Sequence, residues 1–367
     1  MTIAGSRSED ASGRDMVSTW MTKRYGAGEV FLGDRGAGLL FQVLDCLGAK
    51  GSGVIVPSTT CHSVAFAVSL AGYLPVFADV ELSDLNMSAA GVESAVASAS
   101  VPIAACIAIH SFGNLLDAVG VKHVCDQHGI VMIEDICQIM GSGYEGYFGD
   151  VVLASFGYSK PVDAGGGGAI LIRDRELARS MQAAAGLLMG IDRSTREEEA
   201  RFRAAYYTIR GQAQHNESER IGISKLSLPF SGLLLRGTHE PDWERVGKGL
   251  VLLDSSVAKR RERALLFAKE LSHVGLTIPQ GSPGSSPWRF SFLMNDTTLT
   301  RPLTSQLRDA VGHVSNWYPS LAQDYGVDRE LTPNSYLVEQ SIVNLWVDCA
   351  ADDEYISRAL ETVYAFC

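Results

Sequence analysis

Apolar residues along this chain follow two rhythms. Uninterrupted runs stand at 53–56, 75–77, 103–109, 130–134, 151–156 and 169–173, whereas 39–47, 63–70, 89–97 and 119–128 place their apolar side chains at helical spacing. A run without polar alternation is a strand buried on both faces, and amphipathic helices between such runs connect parallel neighbours. The pattern therefore predicts an α/β domain whose mostly parallel sheet is covered on both sides. Gly48 and Gly129 follow the first and last of these helices, where a left-handed residue ends a helix.

Beyond the sheet the pattern changes. Residues 16–25 fit a short helix ahead of it, and the polar, Ser/Gly-rich residues 1–15 are expected to be a loose tail. Residues 191–220 are charged with a helical pattern, as on a surface or subunit contact. A long helix over 250–274, a Pro/Gly/Ser-rich loop at 279–287, an alternating strand at 288–294 and a helix at 353–366 describe a second unit. The expected division is a flexible tail (1–15), a large domain (16–255) and a smaller C-terminal domain (256–367).

In open α/β sheets, ligands gather beyond the carboxyl ends of the strands. Ser58, Thr59, Thr60, His110, Ser111, Asp135 and Ser155 all fall at such ends. The run Val131-Met132-Ile133-Glu134-Asp135-Ile136-Cys137-Gln138 delivers an acid and an amide. Then Ala154-Ser155-Phe156-Gly157-Tyr158-Ser159-Lys160 delivers a hydroxyl and a lone lysine, with glycines at 165–168 close behind. That set suits pyridoxal 5'-phosphate (PLP), which needs an amine to carry its aldehyde, a carboxylate to keep its ring nitrogen protonated, and donors for its phosphate.

Lys160 is the candidate catalytic residue. Its amine can condense with an aldehyde once burial or neighbours lower its pKa, and when released it can move protons at the substrate carbon. Asp135 is the candidate partner of the ring nitrogen, because strand alternation turns Glu134 to the other side. Gln138 is placed to donate to the ring's phenolic oxygen. Ser155, with Gly36 and Ala37 at a helix start, offers a hydroxyl and converging N–H groups to the phosphate; Arg35 beside them is expected to be exposed. Cys61 and His62 follow a strand end where a flat group can lie on the cofactor ring. His110 is a substrate-binding candidate by position, though a lone histidine is as readily part of a core. The glycines at 165–168 lack the GK[ST] ending of a P-loop and the spaced glycines of a dinucleotide turn, so they read as a tight turn.

Composition narrows the classes. The net charge of -11 over 367 residues, with no offsetting basic patch, argues against nucleic-acid binding. Seven cysteines without a CxxC pair read as reduced thiols of a cytoplasmic protein. No His or Cys spacing suits a metal, so none is expected. No run reaches membrane-spanning length, and the start has no signal-peptide core.

From Gly33 to Asp174 the chain resembles the DegT/StrS-type family of PLP-dependent aminotransferases. Val54-Ile55-Val56-Pro57-Ser58, Pro75-Val76-Phe77-Ala78-Asp79-Val80, His110-Ser111-Phe112-Gly113 and the two motifs bearing Asp135 and Lys160 match the family's stations, and the likeness resumes at 313–319 and 341–348. The resemblance implies PLP fold type I (aspartate aminotransferase-like), a large domain with a mostly parallel seven-stranded sheet flanked by helices, and a smaller C-terminal α+β domain. It also implies Lys160 as the Schiff-base lysine, Asp135 on the ring nitrogen, Gln138 on the phenolic oxygen and Ser155 on the phosphate. A homodimer with a shared active site, a glutamate or glutamine donor, and a keto-sugar or cyclitol acceptor are implied too.

Three departures mark this chain. The family's Ser-Gly-Thr phosphate turn is Arg35-Gly36-Ala37, its stacking aromatic is Cys61, and its Gly-x-Asn-x-Arg segment is Gly222-Ile223-Ser224-Lys225-Leu226, which makes Ser224 and Lys225 substrate-binding candidates. Retention of Lys160 separates the chain from the family's dehydratases, which carry histidine there. Elimination, substitution or condensation at an amino acid-like substrate remains an alternative, as does a non-catalytic binding protein.

Overall fold

A computed structural model describes residues 4–184, 186–214 and 216–366. The larger sheet has seven strands, β1 (Glu29–Gly33), β2 (Gly53–Pro57), β3 (Leu74–Ala78), β4 (Ile103–Ile109), β5 (Val131–Asp135), β6 (Val151–Ser155) and β7 (Gly168–Ile172). Their spatial order is β1-β7-β6-β5-β4-β2-β3. β7 is antiparallel to both neighbours, and the other pairs are parallel. Successive residues of one strand enter different cores. Val54 and Val56 pack on one face with Ile107 and Ile133, while Ile55 packs on the other with Cys106 and Met132. Burial on both faces is why these strands read as unbroken apolar runs.

The second sheet is antiparallel and four-stranded. It is built from β8 (Leu276–Thr277), β9 (Phe290–Met294), β10 (Val314–Ser315) and β11 (Ile342–Leu345) in the order β10-β11-β9-β8. The helix Leu253–Leu271 leads into it and buries Phe267 and Leu271 against Phe290 and Phe292.

Two elements differ from expectation. The start is not a loose tail within the described residues: helix α1 runs Ala4–Tyr25, with residues 1–3 outside the description. Val17, Met21 and Tyr25 recur every fourth position and pack on Trp243 and Val246, which holds the helix against the domain. β1 is the other addition. It is short, lies at the sheet edge and pairs only with β7, so it lacks the apolar signature of a central strand.

The two sheets are clamped together beside the cleft between them. Just past β3, Asp79 accepts from Ser58 Oγ (3.2 Å) and from the backbone N–H groups of Asn334 and Ser335 (both 2.9 Å) at the start of the helix Pro333–Ser341. Leu321 N donates to Ser58 O at 2.7 Å. On the opposite side, helix α2 (Gly36–Leu47) begins directly over β7. A Cβ on Gly168 would lie 2.6 Å from Gly36 N and 2.9 Å from Arg35 C, which only glycine avoids. Gly168→Ala is expected to destabilise the fold by about 2 kcal/mol, read as a lower urea midpoint at unchanged m-value.

Candidate active site

The carboxyl ends of β5 and β6 open onto a cleft of about 1650 Å³ between the sheets, and Asp135, Gln138, Ser155 and Lys160 all line it. Gly36, Ala37, Cys61 and His62 line it too. The loop bearing Lys160 is held through its backbone. Ser159 sits in the left-handed region (φ 60°), an uncommon conformation for serine that its surroundings must impose. Its N–H donates to Asp163 Oδ2 (2.7 Å), and its carbonyl accepts from Trp288 Nε1 (2.5 Å).

Burial works against the Lys160 ammonium, but Tyr318, Cys137 and Asp135 outweigh it and the pKa lies above the ordinary lysine value. Burial pushes both Tyr318 and Cys137 up, so these two stay protonated at neutral pH. The lowered amine expected from sequence is not found; the net direction is upward.

Each corner of the cleft offers one kind of contact. Asp135 Oδ1 accepts from Cys137 N (2.8 Å), and the Cys137 thiol lies against the same carboxylate. Gln138 Oε1 accepts from Phe112 N (2.8 Å), which fixes the amide so that Nε2 points to Tyr318 OH (3.4 Å). The first turn of α2 has no side-chain cap, leaving its N–H groups for an anion. Ser155 adjoins them so closely that a Cβ on Gly36 would lie 3.1 Å from Ser155 Cβ. Arg35 borders the same corner. It is half-buried rather than exposed, it donates to Leu233 O (2.9 Å), and desolvation lowers its pKa. An amine, a carboxylate, an oriented amide and an anion corner form a donor set that fits PLP.

Cys61 lies half-buried with Sγ 3.0 Å from Ser63 Oγ. His62 opens helix α3 (His62–Leu70) and packs its ring against Phe66, Phe202 and Tyr206 at 5.2, 5.5 and 5.2 Å. Burial, aided by Arg210 and Arg35, lowers its pKa to about 3. It is a neutral, flat wall at physiological pH.

Three candidates do not reach the cleft. His110 is a core residue: Nε2 meets Glu134 Oε1 at 3.0 Å, and Nδ1 accepts from Leu116 N at 3.0 Å, which sets the tautomer. Glu134 also accepts from the N–H groups of Gly146 (2.6 Å), Phe148 (3.0 Å) and Gly149 (2.8 Å). Burial raises its pKa, but the His110 bond and these donors overcome that and the net shift is downward. Ser224 and Lys225 form a short 3-10 turn anchored by buried Leu226. Ser224 Oγ donates to Ile221 O (2.8 Å), Lys225 is exposed, and neither lines this protomer's cleft.

The sequence reading did not single out Trp288, Arg289 or Tyr318, all of which line the cleft from the second sheet's side. Trp288 and Tyr318 stack at 5.8 Å with planes 12° apart. A signal existed for Arg289, the one charge in the otherwise apolar and small run Trp288-Arg289-Phe290-Ser291-Phe292-Leu293-Met294.

The DegT/DnrJ/EryC1/StrS aminotransferase family model matches residues 35–208. L-glutamine:2-deoxy-scyllo-inosose aminotransferase of Streptomyces kanamyceticus is 35% identical over 261 residues, covering 68% of this chain and 54% of that enzyme. The chain thus spans about half the length of that relative. The aminotransferase TlmJ from Streptoalloteichus hindustanus superimposes with a TM-score of 0.75 at 24% identity, over 99% of this chain and 95% of that one. A DegT DnrJ EryC1 StrS aminotransferase from Brucella abortus gives 0.74 at 19% identity, over 98% and 95%. These two likenesses establish the fold. Residues 35–208 thus match the DegT/DnrJ/EryC1/StrS aminotransferase family model, and the chain folds on the PLP fold type I scaffold.

Proposed function

We propose that this chain is a PLP-dependent aminotransferase that takes an amino group from an amino acid, glutamine or glutamate, and delivers it to the ketone of a cyclitol- or sugar-like biosynthetic intermediate. The observation that carries this reading is the meeting of Lys160 and Asp135, from neighbouring strand ends, in one cleft with the Ser155 and α2 anion corner. The named activity of the Streptomyces kanamyceticus relative, amination of 2-deoxy-scyllo-inosose with L-glutamine, supports the choice of donor and acceptor class.

Bound here, PLP supplies an aldehyde for amines and a cationic ring that withdraws electrons from the substrate carbon. The remaining work falls to the chain. Lys160 holds the coenzyme and, once free, moves the proton at the reacting carbon. Asp135 keeps the ring nitrogen protonated. Gln138 Nε2 steadies the phenolic oxygen. Ser155 Oγ and the N–H groups at Gly36 and Ala37 hold the phosphate. Cys61 and His62 form the wall beside the ring.

A homodimer fits the same reading. Ser224 and Lys225 lie outside this protomer's cleft, and Ile221 and Leu228 on their segment are exposed, which supports a role for this segment in the other subunit's site. No helix of the described residues is long and apolar enough to cross a membrane.

The test is single-turnover mixing of PLP-loaded protein with L-glutamine or L-glutamate. The visible absorbance of the loaded enzyme should bleach with one equivalent of 2-oxo acid formed. Persistent absorbance with every common donor would shift the reading to elimination, substitution or condensation. Absence of any visible band after PLP addition would remove it.

A further inference from the structure

The anion corner, as built so far, is short of charge. Ser155 Oγ and the N–H groups opening α2 are neutral donors, and a helix dipole adds only about half a charge. A phosphate monoester carries close to two negative charges at neutral pH. Lodging such a dianion among neutral groups is costly unless a full counter-charge stands beside it.

Arg35 is the cation at that place. It immediately precedes α2, and its carbonyl accepts from Leu39 N (3.2 Å), which fixes the root of the side chain. Nη1 donates to Leu233 O (2.9 Å) on the short helix Ser231–Leu235. A Cβ on Gly237 would lie 3.3 Å from Arg35 Cδ, so the arginine stem runs close along bare backbone. The guanidinium is thus held by one neutral carbonyl. Among the described residues it forms no ion pair: the acid that acts on it, Glu199, is engaged by Arg203 (2.6 Å). Arg210, Arg220 and Arg289 also line the cleft, but each of them pairs with a carboxylate. Desolvation lowers the Arg35 pKa, yet a guanidinium stays charged at neutral pH.

The neighbours of this unpaired cation identify its ligand. It lines the cleft with Gly36, Ala37 and Ser155, and its charge acts on His62 of the wall beside the ring. The sequence has made an exchange here: Arg35-Gly36-Ala37 carries no hydroxyl in the turn that opens α2, and carries a cation instead.

We infer that the Arg35 guanidinium is the counter-charge of the coenzyme phosphate, replacing hydroxyl donors with an ionic contact. Its effect is largest for the amine form of the coenzyme, which has no covalent bond to Lys160 and is kept by its non-covalent contacts alone. The inference rests on the PLP reading of the cleft.

The experiment compares wild type, Arg35→Gln and Arg35→Lys, each loaded with pyridoxamine 5'-phosphate and then dialysed to equilibrium. The dissociation constant should rise about 30-fold in Arg35→Gln and recover in part in Arg35→Lys, the scale of one charge-assisted contact. Pyridoxamine, which lacks the phosphate, should bind wild type and variants alike. The phosphorus-31 resonance of the bound coenzyme gives a second readout. In wild type it should stay that of the dianion from about pH 5.5 to 8, because a nearby cation lowers the phosphate pKa. In Arg35→Gln it should titrate near the ordinary value of about 6. Unchanged retention and an unchanged phosphorus resonance in a variant with wild-type visible absorbance would overturn the counter-charge and leave the PLP reading standing. An equal loss of affinity for pyridoxamine would also overturn it, because a structural role at Leu233 would weaken both ligands. If wild type retains pyridoxamine 5'-phosphate through Arg35 but never transaminates, the counter-charge stands and the aminotransferase reading falls. Wild type that binds no form of the coenzyme would refute both. Arg35→Lys keeps the test open should Arg35→Gln fold poorly.

Discussion

Lys160→Ala will lower turnover by at least about 10³-fold, the scale of losing a positioned proton-transfer group, while leaving the fold intact. The second half of that expectation follows from how the loop is built. Asp163 Oδ2 and Trp288 Nε1 hold Ser159 through its backbone, and among the described residues no hydrogen bond uses Lys160 Nζ. Removal of the side chain therefore leaves the loop its ties. Steady-state rates with glutamine, together with an unchanged urea midpoint, check both halves. Borohydride reduction of wild type followed by peptide mapping should place the coenzyme adduct on Lys160, and recovery of normal turnover in the alanine variant would refute the role.

Glu134→Ala is expected to cost stability rather than chemistry, about 3–5 kcal/mol. It removes the acceptor for three backbone donors of the loop before β6 and for His110. The adjoining part of that loop is gathered the same way by Glu145, which accepts from Gly141, Gly143 and Tyr144, so little else can re-pair the freed groups. The pH dependence has a definite sign. Glu134 is held below its ordinary value of 4.5, so its stabilisation is complete above about pH 4.5 and is lost as acid brings the pH down through the folded-state pKa. Urea midpoints between about pH 3 and 7 should show that acid loss in wild type and a shallower one in Glu134→Gln.

Asp135 and Glu134 show what sequence could and could not say. Adjacent on one strand, they must face opposite ways, and that rule alone separated the cleft acid from the buried staple. The same rule could not place His110. A strand-end position allows a side chain to face the cleft or fold back beneath the sheet, and the decision lies with a partner at the end of the neighbouring strand. The central strands were legible because burial on both faces writes itself as an unbroken apolar run. β1 and the start of α1 were not, since an edge strand and a polar-rich helix depend on what they pack against. Tyr318 and Arg289 reach the cleft from elements far along the chain, where only the folding of the second sheet brings them to Lys160.

The indole bond from Trp288 to Ser159 joins two successive pairs, 288 with 289 and 159 with 160. One pair precedes a strand of the small sheet and the other follows a strand of the large one, so any drift between the two halves must stretch or break that bond. It ties the second sheet to the backbone carrying the reacting amine.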